Sequence, residues 1–187
     1  MTIQLTIQLK DVSKPAVWRK VAVPASMTFE DLHDIIQMAF GWDDAHLYAF
    51  SPEGFGSKPQ IWIPDEELEE GDFEPNAITL GEIFTEEGQE YTYIYDFGDS
   101  WVHEIMVEEI SEEESDKVVL LNGKGACPPE DCGGPWGYAN LKEVLDNPKH
   151  PEHKDMKEWL GLKPKESWDA KAFSKADVQE ELDDFFE

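Results

Sequence analysis

Residues 2–9 read TIQLTIQL, a strict alternation of polar and apolar side chains. In an extended chain successive side chains point to opposite faces, so Ile3, Leu5, Ile7 and Leu9 form one apolar row; on a helix they would scatter around the axis. The segment therefore reads as a half-buried strand, and with it a sheet whose core lies on one side. Asp11 to Pro15 reads as a turn, after which Val17, Val21 and Val23 resume the period with Arg19 on their own apolar face. A guanidinium there either reaches past the sheet edge or turns inward to a carboxylate partner.

In the segment TFEDLHDIIQMAFGW, residues Phe29, Leu32, Ile35, Ile36, Ala39 and Phe40 share a helical stripe. Thr28 with Asp31 forms a capping-box pattern, and Gly41 supplies the stop. Further strands are read at HLYAFSP, at IWI (61–63), along Tyr91, Tyr93 and Tyr95, along Trp101, His103, Ile105 and Val107, and at KVVLL. FGDS between the third and fourth of these supplies hairpin turn chemistry. Glu66 to Glu74 reads as a solvated loop, and TLGEIF as one helical turn capped by Thr79. From GACPPEDCGGPWGY onward a Cys, Pro and Gly-rich loop leads into three helical segments: ANLKEVL, HKDMKEWLG and an acidic one from about Lys175. The order of elements predicts an α+β fold: a mostly antiparallel, curled, roll-like sheet around one main helix, with a helical C-terminal lobe. One domain spanning 1–187 is expected, a β-rich core over 1–125 and the Cys/Pro/Gly loop and helical tail over 126–187.

The chain carries 42 Asp and Glu against 15 Lys and Arg, a formal charge of -27 over 187 residues. Nucleic-acid affinity rests on neutralising phosphates, so this balance argues against direct DNA or RNA binding and for basic partners or cations. The amino terminus has no basic start and apolar run, and no stretch approaches the length of a membrane span, so a cytoplasmic protein with no membrane partner is expected. Two cysteines, Cys127 and Cys132, are too few for a disulfide scaffold.

Three groups of side chains carry chemical potential. Asp96, Asp99 and Glu104 surround the YDFGDSW turn, where carboxylates serve either as an acid–base pair or as turn-capping groups. His46 and His103 have the lone pair for acid–base work or metal binding but lie far apart in sequence. Cys127 and Cys132 enclose CPPEDC, looser than the spacing of a zinc knuckle, although two thiolates could join His46 and His103 if the loop folds back. Gly133, Gly134 and Gly137 lack the Lys-Ser/Thr or the preceding strand of a phosphate cradle.

The runs PAVWRKVAVP, FEDLHDIIQMAFGWDDAHLYAF, YIYDFGDSWVHEI and CPPEDCGGPWGYANLKEVLDNPKHPEH, in this order, resemble the plasmid pRiA4b ORF-3-like protein family. The resemblance covers most of the chain and implies an α+β roll. Its pattern falls on Trp18, Arg19, His33, Gly41, Trp42, His46, Leu47, Phe50, Tyr95 to Asp99, Trp101, His103, Cys127 to Asp131, Gly133, Gly134, Gly137 and Tyr138. It implies no catalytic assignment. Some relatives are linked to resolvases or transposons; these residues contain no recombinase serine or tyrosine site, and the charge opposes a grip on DNA.

Two functions follow. The first is a protein-interaction or ligand-binding module that meets an unidentified protein or small molecule through Arg19, His46, Asp96, Asp99, Trp101, His103 and Tyr138, with Arg19 pairing Asp96 or Asp99. The second is a metal-assisted hydrolase using His46, His103 and nearby carboxylates, with Cys127 and Cys132 as further ligand candidates. No cofactor follows from the first; a divalent metal enters with the second.

Overall fold

The computed structural model describes residues 1–63 and 67–186. Seven strands, β1 (Thr2–Leu9), β2 (Trp18–Pro24), β3 (Tyr48–Ser51), β4 (Ile61–Trp62), β5 (Glu90–Tyr95), β6 (Trp101–Ser111) and β7 (Val119–Lys124), form one sheet in the order β4-β3-β5-β6-β1-β2-β7. Every ladder in it is antiparallel, and the sheet curls without closing. The helices are α1 (Phe29–Phe40), α2 (Leu80–Ile83), α3 (Gly134–Asp146), α4 (His153–Trp159) and α5 (Lys175–Phe186). The α+β roll read from the alternation is thus the observed fold.

The period-two rows align across the sheet. Ile7 lies opposite both Arg19 and Ile105, Leu9 opposite His103, His103 opposite Tyr93, and Trp101 opposite Tyr95. All of these are buried, and a one-residue slip would carry the whole set to the solvent face, so burial fixes the register. The stripe of α1 covers this surface, with Phe29 meeting Phe50 edge-on at 5.0 Å between ring centroids. Thr28 and Asp31 close the capping box of α1, and Gly41 ends it in the left-handed conformation at φ 88°.

Both sheet edges are managed. β4 has only two residues, while β7 is met by α5, whose Gln179 accepts from the Leu120 N–H at 2.7 Å and donates to the Val118 carbonyl at 3.1 Å. An amide side chain thereby imitates a neighbouring strand at an otherwise open edge.

Helix α3 begins at Gly134, five residues ahead of the ANLKEVL segment read as helical, because Pro135 is tolerated in a first turn where its missing N–H has no partner to lose. In the loop read at Glu66 to Glu74, Glu66 lies outside the described residues. Among the described residues no helix is long and apolar enough to cross a membrane.

Candidate metal centre

Three segments remote in sequence meet at one end of the sheet: the α1–β3 connection (41–47), the hairpin turn after β5 (96–100) and the CPPEDC loop (127–132). The Trp42 indole N–H donates to the Pro128 carbonyl at 3.0 Å, and the Asp96 N–H to the Leu47 carbonyl at 3.0 Å. Asp99 accepts from the Gly133 N–H at 3.0 Å, and a Cβ on Gly134 would come within 2.5 Å of the Asp99 carbonyl oxygen. The glycines after Cys132 therefore let the loop press against the hairpin backbone rather than cradle a phosphate.

Into this junction His46 projects from the first connection, Asp96 from the hairpin, and Glu130 and Asp131 from the loop. The His46 Nε2 lies 3.3 Å from Asp131 Oδ1, 3.8 Å from Asp96 Oδ2 and 3.8 Å from Glu130 Oε2. One donor atom each of His46, Asp96 and Asp131 falls within 4.8 Å of the others. Ligand atoms around an ion bound at about 2.1 Å stand about 3.0–3.4 Å apart, so a small contraction of the triad would complete a coordination shell.

The backbone prepares these positions. Asp96 and Asp131 occupy the left-handed region at φ 53° and 55°, which Asp tolerates better than most residues. Asp96 spends Oδ1 on the Gly98 N–H at 2.9 Å, in a residue only 8% exposed, which leaves Oδ2 toward the histidine. The Tyr95 hydroxyl accepts from the Ala45 N–H at 2.9 Å and gives its one proton to Glu130 Oε1 at 2.9 Å. Oε1 also accepts from the Asp43 N–H at 3.1 Å, so Glu130 is clamped with Oε2 facing His46. Both Glu130 Oε2 and His46 Nε2 are buried atoms without a hydrogen bond. Burial, then Glu130, pushes the Tyr95 phenol well above its usual range.

A second polar set lies under α1. Gln37 donates to the Tyr93 hydroxyl at 3.0 Å, which leaves that hydroxyl's proton for His33 Nδ1 at 2.8 Å. His33 therefore carries its own proton on Nε2, which faces Asp44 Oδ1 at 2.9 Å. Burial holds the His33 pKa below its ordinary value against the opposing pull of Asp44.

The other candidate residues lie elsewhere. His103 is fully buried, its ring edge-on to Phe40 and Trp42 at 4.9 and 5.1 Å, with Nδ1 on the Trp101 carbonyl at 3.0 Å. Burial drives its pKa down to about 3, and it does not join His46. Trp101, fully buried, belongs to the same aromatic core, 5.9 Å from Trp42. Tyr138 is buried on α3 with the Lys142 ammonium over its ring at 4.5 Å. Cys127 and Cys132 are free and half-buried. Burial raises both thiols, Cys132 to about 12, and neither belongs to the cluster.

Arg19 pairs with neither Asp96 nor Asp99. Its guanidinium turns inward to backbone: Nε donates to the Ala39 carbonyl at 2.6 Å, Nη1 to Trp18 and Lys124 at 2.9 and 3.0 Å, and Nη2 to Gly125 at 3.1 Å. Phe40 and Phe173 cover its faces at 5.0 and 4.4 Å. A cage of carbonyl oxygens serves where a carboxylate was expected, because the last turn of α1 and the end of β7 present unpaired carbonyls there. Glu130 and Asp131 were absent from the candidates read from the residues alone; the resemblance covered them, but the flanking cysteines carried the stronger chemical signal.

The model of the plasmid pRiA4b ORF-3-like proteins matches residues 1–177, and the chain belongs to that family. It is 35% identical over 186 residues to uncharacterized protein y4hQ of Sinorhizobium fredii, covering 97% of this chain and 91% of the relative. It is also similar to the crystal structure of a protein of unknown function from Methanosarcina mazei Go1, with a TM-score of 0.79, 32% identity and coverage of 95% and 97% of the two chains. These relatives bring a shared fold and no established activity.

Proposed function

We propose that this protein is a cation-binding module in which His46, Asp96 and Asp131, with Glu130 beside them, hold one divalent metal ion between three loops. The observation that carries the reading is the buried His46 Nε2, which faces three carboxylates at 3.3–3.8 Å and makes no hydrogen bond. One imidazole nitrogen with carboxylate oxygens suits a first-row ion such as Zn²⁺ or Mn²⁺ better than Ca²⁺, which takes oxygen ligands throughout. The ion would offset several clustered negative charges and tie the hairpin to the CPPEDC loop.

Metal-assisted hydrolysis is the second reading, favoured by one feature: three protein ligands leave coordination positions for a water whose pKa the ion would lower. The test of the leading reading is elemental analysis of untagged, chelator-free protein after dialysis against Zn²⁺ or Mn²⁺. About one equivalent is expected in wild type and in Cys132→Ser, and loss of it in His46→Ala and Asp131→Asn. A folded wild type that retains no metal would overturn the assignment.

A further inference from the structure

The carboxylate of Glu130 stands at the proposed metal corner without belonging to its set of donor atoms. Among the described residues the group whose ligand atoms lie within 4.8 Å of one another is His46, Asp96 and Asp131, and Glu130 is outside it. Distance from the histidine does not set Glu130 apart, since its Oε2 lies 3.8 Å from His46 Nε2, as far as Asp96 Oδ2 does. Its anchoring does. Oε1 accepts from the Tyr95 hydroxyl at 2.9 Å and from the Asp43 N–H at 3.1 Å, one donor from β5 and one from the α1–β3 connection. Swinging the group inward to reach an ion would break both of these charge-assisted bonds.

A second observation shows what the other oxygen lacks. Glu130 Oε2 is buried and makes no hydrogen bond, and the same holds for His46 Nε2 opposite it. Once His46 Nε2 ligates the ion, the acceptor left unmet is Glu130 Oε2. A carboxylate oxygen has only lone pairs to offer, so an N–H or O–H donor is what completes it. Charge narrows the class further. Asp96 and Asp131 already balance a divalent ion, so Glu130 leaves the centre with one formal negative charge, and Coulomb repulsion at a few ångströms in a partly buried site opposes an incoming anion.

We propose that Glu130 selects what fills the open coordination position of the ion: a neutral ligand with a proton on its coordinating atom or on the atom beside it, such as water, an alcohol or an azole, and not an anion. This role rests on the metal assignment made above. Tyr95 and the Asp43 backbone hold Glu130 outside the coordination shell, where Oε2 accepts the proton-bearing group of the ligand.

Glu130→Gln reverses the character of the site. The two donors of the clamp retain the amide oxygen at the Oε1 position, which turns the NH₂ toward the ion. A donor then stands where an acceptor stood, and one negative charge is gone.

The test uses wild-type and Glu130→Gln protein loaded with Co²⁺, whose visible absorption bands report each ligand that enters its shell, titrated with pyrazole, N-methylpyrazole and azide. Pyrazole carries an N–H beside its coordinating nitrogen, and N-methylpyrazole does not. Both proteins are expected to hold about one equivalent of Co²⁺. Wild type should prefer pyrazole over N-methylpyrazole roughly tenfold or more, a preference that Glu130→Gln should largely lose. Azide should bind Glu130→Gln roughly tenfold or more tightly than wild type. Glu130→Ala also removes the charge and gives the same azide comparison should the Gln variant fail to fold. Loss of Co²⁺ from folded Glu130→Gln would make Glu130 a ligand and overturn the proposal, as would an azide affinity within about twofold of wild type in the loaded variants. A wild type that takes up no Co²⁺ would instead refute the metal assignment itself, so the two failures are told apart.

Discussion

Replacing Arg19 with Met tests whether the carbonyl cage holds the centre of the fold. The side chain is 2% exposed and donates four hydrogen bonds to the carbonyls of Ala39, Trp18, Lys124 and Gly125. At about 1.5 kcal/mol for each charge-assisted bond and about 0.5 kcal/mol for each ring contact, the gross contribution is about 7 kcal/mol. Burial opposes it: the guanidinium pKa falls from 12.5 to about 10, which corresponds to about 3 kcal/mol that a neutral side chain recovers. The net loss expected for Arg19→Met is therefore about 4 kcal/mol, a large part of the 5–15 kcal/mol typical of a domain. Urea unfolding followed by tryptophan fluorescence measures it, provided the slope is unchanged. Arg19→Lys keeps the charge and part of the bonding and should lose about half as much, which keeps the comparison available should the Met variant fail to fold. A Met variant within 1 kcal/mol of wild type would refute the reasoning, since the carbonyls would then have found other partners at no cost.

Two titrations should give opposite pH signatures. Burial, with Asp44, Glu30 and Asp31 adding to it, raises the Asp34 carboxyl to about 6, so its contribution to stability is fully present below about 4 and is lost as pH rises through 6. Asp34→Asn should remove that loss and stabilise the protein by up to about 1 kcal/mol at pH 7, after discounting for solvent screening; thermal unfolding between pH 4 and 8 checks it. His103, held down to about 3 by burial, works the other way: its contribution is present above about 6.5 and declines as pH falls toward 3, with a total on the order of 4 kcal/mol. His103→Gln should flatten that acid limb in urea unfolding measured from pH 7 to 4.

The sheet could be read from the sequence because burial and alternation express the same physics, and Ile3, Leu5 and Ile7 have no other face to choose. The anomaly at Arg19 was legible too, but its partners were not. Backbone carbonyls carry no residue signature, and those of Lys124 and Gly125 come within reach only when β7 pairs with β2. At the proposed metal corner His46 and Asp96 stood out as residue types in a turn-rich setting. In CPPEDC the cysteines drew the chemical reading, whereas the structure half-buries the thiols and turns Glu130 and Asp131 toward His46. Asp131 at φ 55° offered no sequence signal beyond being an aspartate among prolines and glycines. His33 sat one position beyond Leu32 on the buried stripe of α1, a place where a histidine needs partners, and only the fold names them as Tyr93 and Asp44.

The most direct measurement of the central claim is a Mn²⁺ titration of ¹⁵N- and ¹³C-labelled protein followed by NMR line broadening. Selective broadening of His46, Asp96 and Asp131 signals at substoichiometric Mn²⁺, reversed by Zn²⁺ and absent in Asp131→Asn, is the expected result. Broadening spread across the acidic surface, with no preference for these three residues, would contradict a metal centre at this corner.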